Sequence, residues 1–243
     1  MDDALQQAGL LGLIGGDEFH PGNEPHDEIL AAAAPAAKPA YVVATAAARS
    51  RPDVAVSQAH RWFRQFGLDL AELPVYTKRQ ATDQALADAV DGAGFLYIAG
   101  GDPGLVASVL RETAVGTAMI AAWRSGAVLA GSSAGAMALC AHTLVHQAFP
   151  GHTDRRSAPG LAVVPDAAVL PHHDTFGEKW FPSARAALPE AALIGIDERT
   201  CALWRLGTWH CLGAGMVTVY APGADRVSYA TGVIAGIPQP FTS

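Results

Sequence analysis

The stretch Val128-Leu129-Ala130-Gly131-Ser132-Ser133-Ala134-Gly135-Ala136-Met137-Ala138-Leu139 decides how this sequence is interpreted. It joins an apolar run, a Gly-x-Ser-x-Gly pattern and a run of small, helix-favouring residues. That order predicts a strand, a tight turn carrying Ser133 and a helix, an arrangement called a nucleophile elbow. A serine in such a turn has a strained backbone, so Gly131 and Gly135 must lack side chains. An ordinary Gly/Ser turn is the alternative. The following helix points free N–H groups at the serine's surroundings, which suits an oxyanion.

Length and composition restrict the fold class and the partners. The chain has 243 residues, 50% hydrophobic and 16% charged, so we expect one α/β domain over residues 1–243 with a sizeable core. Its net charge is −7. The sequence has no basic stripe that would indicate binding to nucleic acid and no Lys/Arg cluster that would indicate binding to a membrane. Cys140, Cys201 and Cys211 lack metal or disulfide spacing, and the acidic N-terminus does not resemble a signal peptide. We therefore expect a cytoplasmic protein.

Short apolar runs alternate with segments of helical spacing. The runs predict strands at Leu10–Ile14, Ala40–Thr45, Leu70–Tyr76, Phe95–Ala99, Val128–Ala130, Ala167–Leu170 and Ala192–Ile196. Because continuous apolar strands joined by helices are typical of parallel sheets, we predict a mainly parallel sheet covered on both faces. The runs between residues 201 and 229 have connections too short for helices, so they predict antiparallel strands.

Four of the predicted strands end in polar or glycine clusters. The clusters are Gly100-Gly101-Asp102, Gly131-Ser132-Ser133, Pro171-His172-His173-Asp174 and Asp197-Glu198-Arg199-Thr200. Because ligands of an open parallel sheet bind beyond the carboxyl ends of its strands, we expect these clusters to meet at one edge. A serine, a base, an acid that orients the base and backbone N–H donors suffice for acyl transfer.

Each role in acyl transfer has candidates in these clusters. Ser133 is the candidate nucleophile, because it is the central serine of the pentapeptide. His172 or His173 is the candidate base; alternation points the two side chains to opposite sides, and we expect the other histidine to be polar surface. Glu198 or Asp197 is the candidate that orients the base.

Backbone groups at two turns are the candidate oxyanion donors. These are the N–H groups of Gly101 and Ala134. Asp102 suits the N-cap of a helix that begins at Pro103, where a missing N–H costs nothing.

Taken together, four motifs resemble the aspartyl dipeptidase (peptidase E) and cyanophycinase family of serine peptidases. They are Ile98–Asp102, Gly131–Ala136, Pro171-His172 and Ile194–Glu198, in the family's order, within a similar region from about Tyr41 to Trp204. The resemblance implies a class I glutamine amidotransferase-like (flavodoxin-like) fold, a three-layer α/β sandwich. It also implies a triad of Ser133, His172 and Glu198, an oxyanion hole at Gly101 and Ala134, and no cofactor. The implied substrate is a small peptide. We expect the protein to be a monomer or homodimer.

The sequence departs from the family's pattern near the substrate. Pro103 stands where cyanophycinase-like members have a substrate-binding Gln, and Asp174–Phe181 replaces their run of arginines. Peptidase E-like members bind an aspartate side chain with an arginine in this region, and neither Lys179 nor Arg185 aligns with it. Despite these departures, the resemblance implies an exopeptidase or dipeptidase. It also suggests a preference for substrates with an N-terminal Asp. The candidate substrate-binding residues are Asp102, Pro103, His173 and Asp174.

Two alternative functions fit parts of the same pattern: an esterase that shares the serine motif, and a non-catalytic domain that shares the fold. An α/β-hydrolase esterase also has Gly-x-Ser-x-Gly, but its acid precedes its histidine, as Asp197 precedes His210. A non-catalytic binding or regulatory domain would keep the fold without turnover.

A metal interpretation starts from His142 and His146, which lie four apart on a predicted helical face, with His152 and Asp154 close by. No Glu follows His142 to complete a zinc-peptidase motif. We therefore expect solvated histidines at a helix end and no metal site.

Overall fold

The computed structural model describes residues 8–146 and 154–240. The α-helices in those ranges are α1 (Glu24–Ala33), α2 (Pro52–Arg64), α3 (Lys78–Ala81), α4 (Gln84–Asp91), α5 (Pro103–Leu110), α6 (Ala114–Arg124), α7 (Ala134–Leu139) and α8 (Phe181–Ala187). The strands are β1 (Leu11–Ile14), β2 (Ala40–Val43), β3 (Ala71–Glu72), β4 (Phe95–Ile98), β5 (Val128–Ser132), β6 (His142–His146), β7 (Arg155–Pro159), β8 (Ala167–Leu170), β9 (Ala192–Ile196), β10 (Thr200–Arg205), β11 (Thr208–Gly213), β12 (Val217–Tyr220), β13 (Val227–Tyr229) and β14 (Gly232–Ile234). Among these helices, none alone is long and apolar enough to cross a bilayer; α5 and α6, bent by 90°, pass that test only as a pair and only by length and composition.

An eight-stranded sheet forms the centre of the fold. Its strand order is β14-β11-β10-β1-β5-β4-β2-β3, in which β1, β5, β4, β2 and β3 are parallel and the other three are antiparallel. The predicted parallel sheet and the predicted late antiparallel strands are therefore both confirmed. Of the predicted strand Leu70–Tyr76, only β3 is present, because Pro74 has no N–H for a sheet ladder.

Alternation along the central strands divides the core into two layers. In β4, Phe95 and Tyr97 belong to one hydrophobic cluster, whereas Leu96 and Ile98 belong to the other. Successive strand residues point to opposite faces, so both faces of the sheet are buried. Helix α2 contributes to the first cluster and α6 to the second, which gives the three layers of an α/β sandwich.

Two of the four strands expected at one sheet edge belong to a different sheet. β8 and β9 are parallel neighbours in a four-stranded sheet of order β13-β12-β9-β8. The expectation of a single shared sheet edge is wrong in this respect, because β1 already pairs with β5 on one side and β10 on the other. The ends of the two sheets nevertheless meet, since the His172 N–H donates to the Gly15 carbonyl just after β1 at 2.7 Å.

The segment His142–His146 is strand β6, and the predicted helix at this position is wrong. It pairs in antiparallel register with β7, and its β-branched Thr143 and Val145 suit a strand. Residues four apart in a strand are separated by about 13 Å, so the two histidines are not neighbours as they would be on a helix. His152 lies outside the described residues. Within residues 8–146 and 154–240, no group of three or more His, Cys, Asp or Glu side chains is placed to hold a metal ion.

A buried polar pair lies on α1. His26 and Asp27 are fully buried, and the Trp62 indole N–H donates to Asp27 Oδ2 at 2.7 Å. Burial raises the pKa of Asp27 to about 8, against the opposing effect of the Trp62 hydrogen bond, and burial lowers the pKa of His26 to about 3. Both side chains are therefore neutral inside the folded protein near pH 7.

The free energy of unfolding of the wild-type protein should fall between pH 6.5 and 8, and we expect Asp27→Asn to remove most of this fall. Folding raises the pKa of Asp27 from 3.8 to about 8, so its stabilising contribution is full below pH 3.8 and is lost as the pH rises through 8. The His26 contribution has the opposite sign, being lost as the pH falls below 6.5. Between pH 6.5 and 8 Asp27 is therefore the member of the pair that lowers stability, by about 2 kcal/mol at about 1.4 kcal/mol per pH unit.

Chemical denaturation of wild type and Asp27→Asn at several pH values measures this difference. The amide keeps an oxygen that accepts from Trp62 but carries no titrating proton, so the variant's unfolding free energy should stay level. Asp91→Asn is the control, because Asp91 is exposed. Parallel pH profiles for wild type and Asp27→Asn would contradict the assignment.

Candidate active site

Ser133 is the single residue between the end of β5 and the start of α7. Its backbone angles are φ 49° and ψ −109°, a conformation that costs a non-glycine residue roughly 1–3 kcal/mol. A Cβ on Gly131 would lie 2.5 Å from the carbonyl carbon of Gly135, and a Cβ on Gly135 would lie 2.2 Å from the Ile98 oxygen. Both positions therefore require glycine because backbone approaches backbone, as the sequence predicts.

Three side chains form one hydrogen-bonded line next to this turn. His172 Nε2 lies 3.0 Å from Ser133 Oγ, and His172 Nδ1 lies 2.8 Å from Glu198 Oε1. The serine is on β5–α7, the histidine follows β8 and the carboxylate follows β9, so residues up to 65 positions apart meet here. The arrangement suits the transfer of a proton from the hydroxyl to the ring, with the carboxylate accepting from the other ring nitrogen.

Backbone and ring contacts hold His172 in this orientation. Its φ is 50°, and its N–H donates to the Gly15 carbonyl at 2.7 Å. Gly16 is needed beside it, because a Cβ there would lie 2.2 Å from His172 Cε1. On the other side the Phe176 ring stacks on the imidazole with centroids 4.7 Å apart. The ring is therefore held between a glycine backbone and an aromatic face.

His173 points away from this line, and its expected role as polar surface is wrong. Its side chain is only 9% exposed, its Nε2 lies 3.0 Å from Tyr220 Oη, and its Nδ1 lies 3.6 Å from Asp197 Oδ1. The ring packs over Gly195 of β9, where a Cβ would lie 2.4 Å from His173 Cδ2. The two adjacent carboxylates consequently have different partners: Asp197 lies near His173, and Glu198 is bonded to His172.

Glu198 is held in turn by the segment after His172. The Glu198 N–H donates to Asp174 Oδ1 at 3.0 Å. The Thr175 hydroxyl lies 3.1 Å from the His172 carbonyl oxygen and 3.3 Å from Glu198 Oε1, either of which it can donate to. Asp174 thus anchors the backbone of Glu198 and does not line the cavity, whereas the sequence suggested a substrate contact. Thr175 is a site residue that sequence reasoning missed, because its contact depends on where the loop after β8 folds.

The two residues proposed as oxyanion donors, Gly101 and Ala134, line the same cavity as Ser133. Gly101 has φ 142°, and a Cβ there would lie 2.4 Å from the Ala46 oxygen. Ala134 is the first residue of α7. In the part of the chain that the structure describes, neither N–H donates to a protein acceptor. His172 lines this cavity as well.

This cavity has a volume of about 320 Å³. Its remaining lining residues are Pro103, Met137, Leu144, His146, Arg155, Phe176 and Trp180. Of the four candidate substrate-binding residues, only Pro103 is among them. Asp102 caps α5 instead, its Oδ1 accepting from the Leu105 N–H at 3.0 Å, which agrees with its predicted capping role.

Arg155 brings a buried positive charge to the cavity. The residue is 8% exposed, and its guanidinium carbon lies 3.7 Å from the centre of the Trp180 ring. Its Nε has no hydrogen-bond partner, and no ion pair joins it to a carboxylate among the described residues. Burial lowers the pKa of Arg155, yet an arginine stays charged at neutral pH.

The cations considered in the sequence lie elsewhere. Arg185 donates to the carbonyl oxygens of Leu188, Ala191 and Tyr220 at 3.1, 2.8 and 2.7 Å, which ties α8 to the second sheet. Lys179 is exposed and does not line the cavity. No sequence signal identified Arg155, because its place depends on β7 lying against α8.

The acid-before-histidine order of an α/β-hydrolase does not match the geometry. His210 lies on β11 opposite Leu203. It is His172, and not His210, whose ring nitrogen lies 3.0 Å from Ser133 Oγ.

Comparisons with known proteins identify the family of this chain. The sequence profile of peptidase family S51 matches residues 11–209. A cyanophycinase from Trichormus variabilis (strain ATCC 29413 / PCC 7937) is 31% identical over 214 residues, which cover 85% of this chain and 71% of that protein. The crystal structure of a peptidase from an acI-B1 Actinobacterium superposes with a TM-score of 0.77 at 27% identity, covering 92% of this chain and 98% of the other. A putative peptidase E protein from Listeria monocytogenes EGD-e shares the fold, with a TM-score of 0.57, 15% identity and coverage of 91% and 98%. The chain therefore belongs to peptidase family S51 and is a hydrolase that acts on peptide bonds.

Proposed function

We propose that this protein is a serine exopeptidase or dipeptidase that cleaves short peptides through an acyl-enzyme. In this proposal Ser133 is the nucleophile, His172 the general base and Glu198 the acid that orients the base. The observation that carries the proposal is the pair of hydrogen bonds, 3.0 and 2.8 Å long, that joins the three side chains beside a cavity. Membership of peptidase family S51 supports it.

The acylation step follows from these contacts. As Ser133 Oγ bonds to the carbonyl carbon of the scissile peptide, its proton moves to His172 Nε2, and Glu198 holds the Nδ1–H and stabilises the imidazolium. The negative charge on the carbonyl oxygen is held by the N–H groups of Gly101 and Ala134. His172 then gives the proton to the leaving amine, the C–N bond breaks, and the acyl group remains on Ser133.

Deacylation repeats the sequence with water. His172 takes a proton from a water molecule whose oxygen bonds to the acyl carbon, and the second oxyanion is held by the same backbone donors. The ring then returns the proton to Ser133 Oγ as the ester bond breaks. Only protein side chains, backbone groups and water take part.

We further propose that the cavity accepts an acidic side chain, with N-terminal Asp as the preferred residue. A buried charge without a counter-ion is costly, and Arg155 has none among the described residues; a carboxylate in the cavity would pair with it through charge-assisted hydrogen bonds. Trp180 and Phe176 flank the same space and suit the apolar part of a substrate.

We place the protein in the cytoplasm, as a monomer or homodimer. Cys140, Cys201 and Cys211 are all unpaired and buried, which fits a reducing compartment.

Hydrolysis of a dipeptide panel tests the proposed function. Asp-X, Glu-X, Asn-X and Ala-X dipeptides and their N-acetylated forms are compared with wild type and Ser133→Ala. We expect Asp-X to be cleaved fastest, Asn-X to be a poor isosteric substrate, and the blocked peptides to resist cleavage. Turnover of simple esters but of no peptide would favour an esterase. Failure of a fluorophosphonate to label Ser133 in folded protein would favour a non-catalytic domain.

A further inference from the structure

We infer that Glu18 is a positioning residue that holds the nucleophile turn and the oxyanion loop together. The inference rests on the proposed roles of Ser133 and Gly101. Glu18 Oε1 accepts from the Gly100 N–H at 2.8 Å, and Glu18 Oε2 accepts from the Ser132 hydroxyl at 2.9 Å. One carboxylate thus binds the residue immediately before each of the two proposed catalytic positions.

Glu18 belongs to a loop that contacts the proposed triad. This β1 loop, residues 15–18, follows β1, whose Ile14 carbonyl accepts from the Ser133 N–H at 2.9 Å. Its Gly15 carbonyl accepts from His172, as described above. Its Gly16 carbonyl accepts from the N–H of Arg199, the residue after Glu198, at 3.0 Å. The loop therefore serves as a common support for segments that are far apart in sequence.

The backbone on both sides of Glu18 is strained and held in place. Asp17 has φ 55° and Phe19 has φ 62°, a left-handed conformation that is uncommon for residues other than glycine. Asp17 Oδ2 accepts from Arg199 Nε at 2.6 Å, and the buried Phe19 ring contacts the Tyr97 ring at 5.2 Å between centroids. These contacts fix the direction of the Glu18 side chain between them.

The Gly100 contact determines where the oxyanion donor lies. Gly101 is bracketed by two anchored peptide groups, since the Gly100 N–H donates to Glu18 and the Asp102 N–H donates to the Ala46 carbonyl at 2.8 Å. Loss of the first anchor frees the Gly101 N–H to shift away from the serine. A displacement of about 1 Å in a reacting group costs on the order of 10²-fold in rate.

A carboxylate suits this position because both of its neighbours are donors. Glutamine in its place keeps an oxygen for the Gly100 N–H, but the Ser132 hydroxyl must turn to accept from the amide. Alanine removes both contacts. The two substitutions should therefore have graded effects.

The test compares Glu18→Ala, Glu18→Gln and Ser132→Ala with the control Glu24→Gln. Glu24 is the first residue of α1, six positions after Glu18, and its carboxylate accepts from the Gly22 N–H at 2.5 Å. The control therefore removes the same charge away from the site. Three quantities are measured: the rate of Ser133 labelling by a fluorophosphonate, the affinity for a peptide aldehyde, and the affinity for an uncleaved Asp dipeptide in a Ser133→Ala background. The aldehyde forms a tetrahedral adduct whose oxygen occupies the oxyanion hole, whereas the dipeptide reports on ground-state binding alone.

We expect Glu18→Ala to lower the labelling rate and the aldehyde affinity by about 100-fold, and Glu18→Gln and Ser132→Ala by about tenfold. Dipeptide affinity should stay within about twofold, and Glu24→Gln should match wild type. If Glu18→Ala does not fold by circular dichroism, the other two variants decide the result.

Two outcomes would overturn the inference. One is labelling and aldehyde affinity within about threefold of wild type in the folded Glu18 and Ser132 variants; the other is an equal loss of aldehyde and dipeptide affinity, which indicates general damage to the cavity. In both cases a wild-type protein that labels at Ser133 leaves the proposed function intact. A wild-type protein that does not label at Ser133 overturns the proposed function, and this inference with it.

Discussion

Replacing Ser133 by alanine is expected to lower kcat/KM for Asp-X dipeptides by about 10³-fold or more. His172→Ala should cost a similar factor, because the serine hydroxyl is a weak nucleophile until the ring, 3.0 Å away, accepts its proton. The double variant should lose little beyond either single variant, since the two groups act as one unit. Steady-state kinetics of the three variants on one dipeptide measure this non-additivity.

His210→Ala is the control for the histidine substitution. His210 lies on β11, away from Ser133, so its loss should leave kcat/KM unchanged, whereas an α/β-hydrolase mechanism predicts the reverse pattern for His210 and His172. A loss of under tenfold in Ser133→Ala would contradict its role as the nucleophile. Losses that simply multiply in the double variant would contradict the transfer of a proton between the two groups.

Replacing Arg155 by methionine is expected to lower kcat/KM for Asp-X dipeptides by about 100-fold, given about 3 kcal/mol for a charged hydrogen bond and about 1.4 kcal/mol per tenfold change. Asn-X dipeptides should change by less than about threefold, because an amide offers no charge to the guanidinium. Methionine keeps an apolar stem against Trp180, so the cavity retains its wall. The ratio of the two kcat/KM values, measured in wild type and variant, gives the specificity directly.

Arg156→Met is the matched control for this specificity prediction. Arg156 is the next residue of β7 and is exposed, so alternation points its side chain away from the cavity. Arg155→Met should also be at least as stable as wild type, because it removes a buried charge without a counter-ion. Equal losses on Asp-X and Asn-X would contradict recognition of a carboxylate by Arg155.

Local pattern determined the parts of the fold that depend on neighbours along the chain. The apolar run, the glycines and the small residues of 128–139 specified strand, turn and helix, because each requirement is set within a few residues. The same is true of Asp102 as the cap of α5. The helix predicted from the spacing of His142 and His146 was wrong for a related reason. Two residues four apart lie on one face of a helix, and they also lie on one face of a strand.

Choices between adjacent residues needed the tertiary structure. Local pattern alone does not distinguish His172 from His173, or Asp197 from Glu198; only the family resemblance favoured His172 and Glu198. Which histidine contacts Ser133, and which carboxylate bonds that histidine, depends on the way the loops after β8 and β9 meet β1. The same long-range contacts bring Arg155 to the cavity and Glu18 to the turns that it bonds.

The sequence by itself determined an α/β fold, the strained serine turn and the set of residues from which a catalytic line is built, because periodicity and turn chemistry are local properties. Only the tertiary structure decided that β8 and β9 form a second sheet, that Asp197 lies beside His173, and that a buried arginine lines the cavity. Those features arise where segments distant in sequence come into contact, and the pattern of any one segment does not encode its partner.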